Sequence, residues 1–404
     1  MAKTNKLQTE EFKNLYESAL LDCGNNKGKA ANLAGERVED LLVEGKVQPE
    51  DVSLKALFEA TVNTEDMDTN DAAQIAEGIN KSAFPTISSK VINSQIIAAY
   101  NMAEGDVSKL YRTAPATRTD EETIVGFSAG NYTPLLRPEG MSYEETAFGE
   151  KFWNVKMADF GRMISLTREV IFEDRTGEVM ERARDIGMAA GQHKAKMVIE
   201  TLAVDTRTAF NETASNAAIY NGTAITQGNF YNNNHSALID SAGTNDNKSA
   251  DTLGSASAAL NAVKGAWLLM QNMVDEAGEK IEIPGPYYLV VAPGQYVDVW
   301  NAFNTPSWMP SGGTTATGLS PTGSPLGAMA PISVIQSLNM TDGEWFFGRP
   351  DLQMKWIEVF PAATASQGTN AELAFTNQIV ARYRFNYHGG IGHTDYRYVI
   401  GGNL

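Results

Sequence analysis

The feature that most constrains this chain is the excursion from Glu121 to Thr167. It opens on a strand, ETIVGF, and passes through a bend holding Gly126, Gly130, Pro134, Pro138 and Gly140. It returns through KFWNVKMADFGRMISLT. On the return, Trp153, Val155 and Met157 face one way. Phe160, Ile164 and Leu166 then hold the face one residue out of phase, which marks a bulge or twist at Gly161. A two-stranded arm of this length cannot bury both faces against its own subunit, so it needs another surface to lie on.

The bend also contains Gly126-Phe127-Ser128-Ala129-Gly130, the G-x-S-x-G pattern of a hydrolase nucleophile elbow. An elbow needs a helix directly after the serine. The residues that follow, GNYTP, then Pro138, oppose one, and no glycine-rich oxyanion segment precedes the motif. Ser128 is therefore read as part of a bend of small residues, and a serine hydrolase is only a remote alternative.

Other catalytic signals are sparse. The histidines are His193, His235, His388 and His393, with no pair at zinc spacing, and no phosphate-binding glycine loop is present. Asp66, Asp68, Asn70 and Glu77 fall on positions 1, 3, 5 and 12 of an EF-hand loop. Position 6 is Asp71 rather than the required glycine, and a helix through AAQIAEGIN is the better reading. No metal, cofactor or enzymatic activity is expected. The single cysteine, Cys23, cannot form an intrachain disulfide. The chain has neither a secretory leader pattern nor an apolar run long enough to span a membrane. A formal net charge of −17 excludes gathering nucleic acid by bulk electrostatics.

The remainder reads as an α+β chain with several lobes, as 404 residues exceed one simple core. Residues 1–83 form short acidic helices. Phe12, Leu15, Tyr16, Ala19 and Leu20 make one apolar face, Thr9 caps its start, and Gly24, Gly35, Gly45 and Pro49 punctuate. Residues 84–120 read as a connecting arm with Val91, Ile92, Ile96, Ile97 and Tyr100 on one helical face and extended flanks at Pro85 and Pro115. A helix of about 40 Å follows Thr176, its stripe running through Val179, Ala183, Ile186, Ala190, Met197, Val198 and Leu202. Residues 204–256 are polar and read as a long surface loop. SASAALNAVKGAWLLMQNM and GQYVDVWNAF are helices. YYLVV, PISVIQSL, EWFFGR and QMKWIEVF are strands. In the closing segment Ile379, Ala381, Tyr383, Phe385 and Tyr387 take one face, while Arg382, Arg384 and His388 take the other.

In this order the parts resemble the major capsid proteins of tailed bacteriophages, the Mu-like head subunit group in particular. The resemblance is carried by AFPTISSKVINSQIIAAY, VKMADFGRMISLTREVIFED, GMAAGQHKAKMVIETLA, NFYNNNHSAL, IPGPYYLVVAP, WFFGRP with MKWIEVF, and IVARYRFNYHGGIGHTDYRYVI. Tyr396 stands where the group commonly has tryptophan, and the segment after Val204 is longer than expected. The resemblance implies the tailed-phage capsid fold: an N-terminal arm over 84–120, an extended β-hairpin loop over 121–168, and a peripheral domain over 169–285 with a spine helix and insertion loop. An axial domain over 286–375 and closing peripheral strands over 376–404 complete it. Residues 1–83 match nothing in that pattern. Phages of this kind often carry there a scaffolding region that a protease removes.

The implied function is structural. The chain would self-assemble as hexamers and pentamers into an icosahedral head enclosing double-stranded DNA, without reading its sequence. Portal, scaffolding and decoration proteins would be its other partners. The product would be a virion shell built in the host cytoplasm, with no membrane involved. The same fold also forms encapsulin-type compartments, the alternative reading. Trp153, Val155, Met157, Phe160, Arg382 and Arg384 are the candidate inter-subunit contacts. Lys151 and Lys156 lie in the arm from which some relatives form a covalent cross-link, although surface lysines are the favoured reading.

Overall fold

The computed structural model describes residues 9–24, 26–44, 46–47, 52–62, 72–128, 139, 149–173, 176–203, 218–220, 223–225, 230–231, 235–236, 244–274, 280–304, 331–368 and 376–404. In chain order the elements are α1 (Thr9–Asp22), α2 (Lys27–Val43), α3 (Leu54–Thr61), α4 (Ala72–Lys81), α5 (Phe84–Glu104), β1 (Arg112–Pro115), β2 (Glu121–Ser128), β3 (Gly149–Lys156), β4 (Ala158–Thr167), α6 (Arg168–Phe172) and α7 (Thr176–Leu202). Then come β5 (Ala218–Tyr220), β6 (Thr223–Ile225), β7 (His235–Ser236), β8 (Thr244–Asn245), β9 (Lys248–Ser249), α8 (Ala256–Gln271), β10 (Tyr287–Val291), α9 (Pro293–Asn304), β11 (Ile332–Gln336) and β12 (Trp345–Gly348). A short helix α10 (Pro350–Gln353) leads into β13 (Met354–Gly368), β14 (Ile379–His393) and β15 (Val399–Gly402). No helix among the described residues is long and apolar enough to cross a membrane.

The chain divides into two compact units. The first comprises Met1–Gly105, Asp159–Lys194 and Phe360–His388. Its centre is α5, a single helix of 21 residues that carries the expected helical face and takes in the Pro85 flank, expected to be extended. Pro85 sits in the first turn, where a missing N–H costs nothing, so it starts the helix instead of preventing it. The first part of α7 lies against α5 through Gly187 and Gly191. A Cβ on Gly187 would stand 2.3 Å from the Ile96 carbonyl oxygen, and one on Gly191 2.4 Å from that of Tyr100. The stripe therefore runs through two glycines. Ile186 and Ala190, expected on it, are only half-buried. Gly35 likewise does not punctuate: it lies inside α2, where a Cβ would touch Lys90 Cγ of α5 at 3.1 Å. Gly24 does end its helix, at φ +60°. Ser88 Oγ and Tyr383 Oη share a buried hydrogen bond of 2.7 Å, tying α5 to β14.

The second unit comprises Asp106–Ala158, Ala195–Val359 and Gly389–Leu404. Its main sheet has the order β11-β10-β12-β15-β9. The YYLVV run forms the strand β10 as the apolar pattern predicts, parallel to β11 and antiparallel to β12. Helices α8 and α9 bring Ala262, Val263, Ala266, Met270 and Val299 onto Leu289, Trp345 and Phe347 in one buried cluster. The closing strand needs its glycines here: a Cβ on Gly402 would stand 1.9 Å from Trp345 Cε2.

The 204–256 segment is not simply a loop. Its described residues supply β5 to β9, with β9 joining the main sheet beside β15. Polar side chains secure it. Asn245 accepts from Val274 N at 2.8 Å and donates to Val274 O at 2.8 Å, and Asn247 donates to the carbonyls of Phe230 and Tyr396. Asparagine in a polar run resembles loop composition, yet such bonds satisfy the buried backbone that a true loop would leave to water.

Within the second unit, β1 pairs in parallel with Lys355–Glu358 of β13. Within the first, the Ile379–His388 part of β14 has β4 as its sheet neighbour.

Candidate functional site

The outgoing strand and the first part of the return pair as the alternation predicts. β2 and β3 pair antiparallel from Glu121↔Lys156 to Ser128↔Gly149. β5 and β6 extend this pair to four strands, in the order β2-β3-β5-β6. The phase change is real but sits at Met157 rather than at Gly161. There β3 ends, and the chain passes from this sheet into the one containing β4. Gly161 has another role: a Cβ would lie 2.8 Å from the Phe385 carbonyl oxygen, so β4 lies close against the backbone of β14.

The six candidate contact residues do not form one group. Trp153 stands opposite Ile124 in the arm, and its side chain lies outside the described residues. Val155 and Met157 pack within the chain. They are 1% and 8% exposed and pack against Ile357, so their apolar surface is covered by their own chain. The Met157 amide also donates to Asp120 O at 2.9 Å, pinning the root of the hairpin. Phe160 is half-buried in the first unit, with its ring centroid 4.9 Å from that of His193 and 5.3 Å from that of Tyr387.

Arg382 and Arg384 lie where the β14 alternation places them. Tyr383, Phe385 and Tyr387 are buried on one face, whereas Arg384 is exposed and Arg382 and His388 are half-buried on the other. Burial drives the Tyr383 and Tyr387 hydroxyls far above the ordinary phenol range, so the inner face keeps its protons. On the outer face Phe360 is 56% exposed, with its ring 6.0 Å from His388. Neither arginine has an ion pair among the described residues, and Arg382 Nε is buried without a hydrogen-bond partner. The chain as a whole has 49 acidic and 32 basic side chains.

Sequence reasoning gave no functional role to four further groups. His193, just off the α7 stripe, bonds Tyr387 Oη through Nδ1 at 2.9 Å. Beside it, Lys194 and Glu104, each 8% exposed, pair at 3.3 Å, with the ammonium over the Tyr100 ring. In the second unit His393 is fully buried. Nε2 lies 2.6 Å from Thr201 O, which can only accept, so Nε2 donates and Nδ1 accepts from Gln353 Nε2 at 3.0 Å. Arg349 holds Asp351 in a two-pronged contact at 2.7 and 2.8 Å, and Arg112 adds a third bond at 3.0 Å. Burial pushes the Asp351 carboxyl up, but the bonds from Arg349 and Arg112 outweigh it and hold the group below the usual range.

The remaining candidates for chemistry are placed as follows. Ser128 is the last residue of β2, opposite Gly149, and the next ten residues lie outside the described ones. Of the EF-hand residues, Asp66, Asp68 and Asn70 also lie outside them, whereas Glu77 lies on α4. No metal-binding group of three or more His, Cys, Asp or Glu occurs among the described residues. Lys156 pairs with Glu121 at the root of the arm and Lys151 with Gly126 farther along.

Comparison with known proteins adds the following. No curated protein matches the sequence. Among solved structures, the chain is similar to the capsid of cyanophage P-SCSP1u, with a TM-score of 0.45, 10% identity, and coverage of 73% of this chain and 86% of that one. It is also similar to a virus-like particle from Pyrococcus furiosus, with a TM-score of 0.45, 11% identity and coverage of 78% and 98%. The mature capsid of bacteriophage PhiM1 gives 0.43, 10%, and coverage of 73% and 86%. The family whose sequence model matches is described as phage capsid protein, and the match runs over residues 154–401. That match takes in strands and helices of both compact units and more than half of the chain, so this chain belongs to the phage capsid protein family.

Proposed function

We propose that the chain is the shell-building subunit of a tailed-phage head. Copies associate as hexamers and pentamers and close into an icosahedral shell around double-stranded DNA. Repeated heterologous contacts that close by symmetry give a shell where unclosed ones would give a filament. Portal, scaffolding and decoration proteins are the further partners, and assembly takes place in the host cytoplasm. The chain works by contact, and no bond-making step is assigned to it.

The observation that carries this reading is the family match, and we assign one inter-subunit contact to the outer face of β14. Arg382, Arg384 and Phe360 combine positive charge with exposed apolar area. A carboxylate-bearing segment of a second copy satisfies both, whereas a DNA backbone satisfies only the charge. Trp153 in the arm is the other proposed contact.

The test is Arg384→Glu in the full chain. Light scattering and sedimentation should show a subunit that folds with unchanged circular dichroism but assembles poorly. Assembly at low salt indistinguishable from that of the unsubstituted chain would refute this use of the face.

A further inference from the structure

Residues 1–83 match nothing in the family pattern, and the resemblance alone allows either a removable scaffold or a permanent lining there. The packing favours the lining. The buried residues of α5 are Phe84, Ile87, Ser88, Val91, Ile92, Ile96, Ala99, Tyr100 and Glu104. At about 100° per residue they occupy well over half of the helix circumference, far more than the stripe of a helix lying on a surface. One side of this arc is met by β14 and α7, through Ser88, Ala99 and Tyr100. The other side is met by the N-terminal helices. The Phe58 ring of α3 stands edge-on to Phe84 at 6.1 Å and to Phe172 of α6 at 5.6 Å. Glu39 of α2 pairs with Lys90 at 3.0 Å. Thr176 Oγ1, at the start of α7, accepts a buried hydrogen bond from Leu54 N of α3 at 3.0 Å, and Ser53 Oγ caps α3 by accepting from Ala56 N. Leu54, Leu57, Ile75 and Ile79 are all 0% exposed. A segment built to leave would share neither its caps nor its core with the part that stays.

We propose that α1 to α4 are a permanent part of the subunit: they complete the core around α5 and remain, uncleaved, in the assembled shell. The claim about the shell rests on the capsid reading; the claim about the core does not.

Two measurements test it. In the unassembled full chain, hydrogen exchange should protect α3 amides as strongly as those of α5. Phe58→Ala should speed exchange in both helices together, by roughly a hundredfold or more. Rapid exchange of α1 to α4 over a protected α5, or a Phe58→Ala effect confined to α3, would overturn the claim about the core. Intact mass of subunits from DNA-filled heads should include residues 9–81; a subunit beginning near Phe84 would overturn permanence. A chain that forms no shells under any condition refutes the capsid reading instead, and leaves the exchange result standing.

Discussion

Gly187 tests the packing logic most sharply. A methyl group there would stand 2.3 Å from Ile96 O and 2.9 Å from Ala99 Cβ. Ordinary contact begins near 3.5 Å, so α7 must retreat from α5 by about 1 Å. A gap of that size forfeits a quarter to a half of each dispersion contact along the seam. It would also lengthen the Lys194–Glu104 pair, now 3.3 Å, which lies at the same seam. Overpacking of this kind costs about 1–3 kcal/mol or somewhat more. Against it stands the helix preference of alanine over glycine, about 1 kcal/mol. The expected net effect of Gly187→Ala is a loss of about 1 kcal/mol, or roughly 1–3 °C in melting temperature. The control lies in the same helix: a Cβ on Gly177 meets nothing within 4 Å. Gly177→Ala should therefore leave melting unchanged or raise it slightly. The assay is thermal unfolding of the unassembled subunit by far-ultraviolet circular dichroism, with hydrogen exchange in α5 read in parallel. If the two substitutions behaved alike, the close approach of α5 and α7 would be refuted.

Two further outcomes concern acid and the serine. The folded Asp351 carboxyl sits below its unfolded value of about 3.9, so its contribution is complete above that pH and is lost as pH falls through the folded pKa. Asp351→Asn should cost about 2 kcal/mol at neutral pH and flatten the acid limb of the stability profile, as measured by denaturant titration between pH 3 and pH 7; an unchanged acid limb would contradict the assignment. Ser128→Ala should leave assembly nearly intact while a bulky residue at Gly126 or Gly130 impairs it, as read by sedimentation. Loss of a hydrolase activity on Ser128→Ala would refute the structural reading of the motif.

Much of the fold was legible because it depends on hydrophobic period. The alternation of β14 places Tyr383, Phe385 and Tyr387 inside and Arg384 outside, and the apolar run of β10 predicts a buried strand. The failures have physical causes. The α7 stripe runs through Gly187 and Gly191, and glycine has no side chain for hydropathy to score. Pro85 resembles a helix breaker but occupies the one turn that tolerates it. The polar run after Val204 resembles loop, because buried asparagines that satisfy backbone groups have the same composition as exposed ones. In the candidate contact face, the charge and periodicity of Arg382 and Arg384 were readable. That Val155 and Met157 would be covered by Ile357, about 200 positions away in sequence, was not.

The identity of the chain as a shell protein is tested most directly by electron microscopy of the purified full-length protein over a range of salt and protein concentration. Closed, uniform shells are predicted, with the arm of each subunit lying on a neighbour. A monodisperse small oligomer under every condition would contradict it.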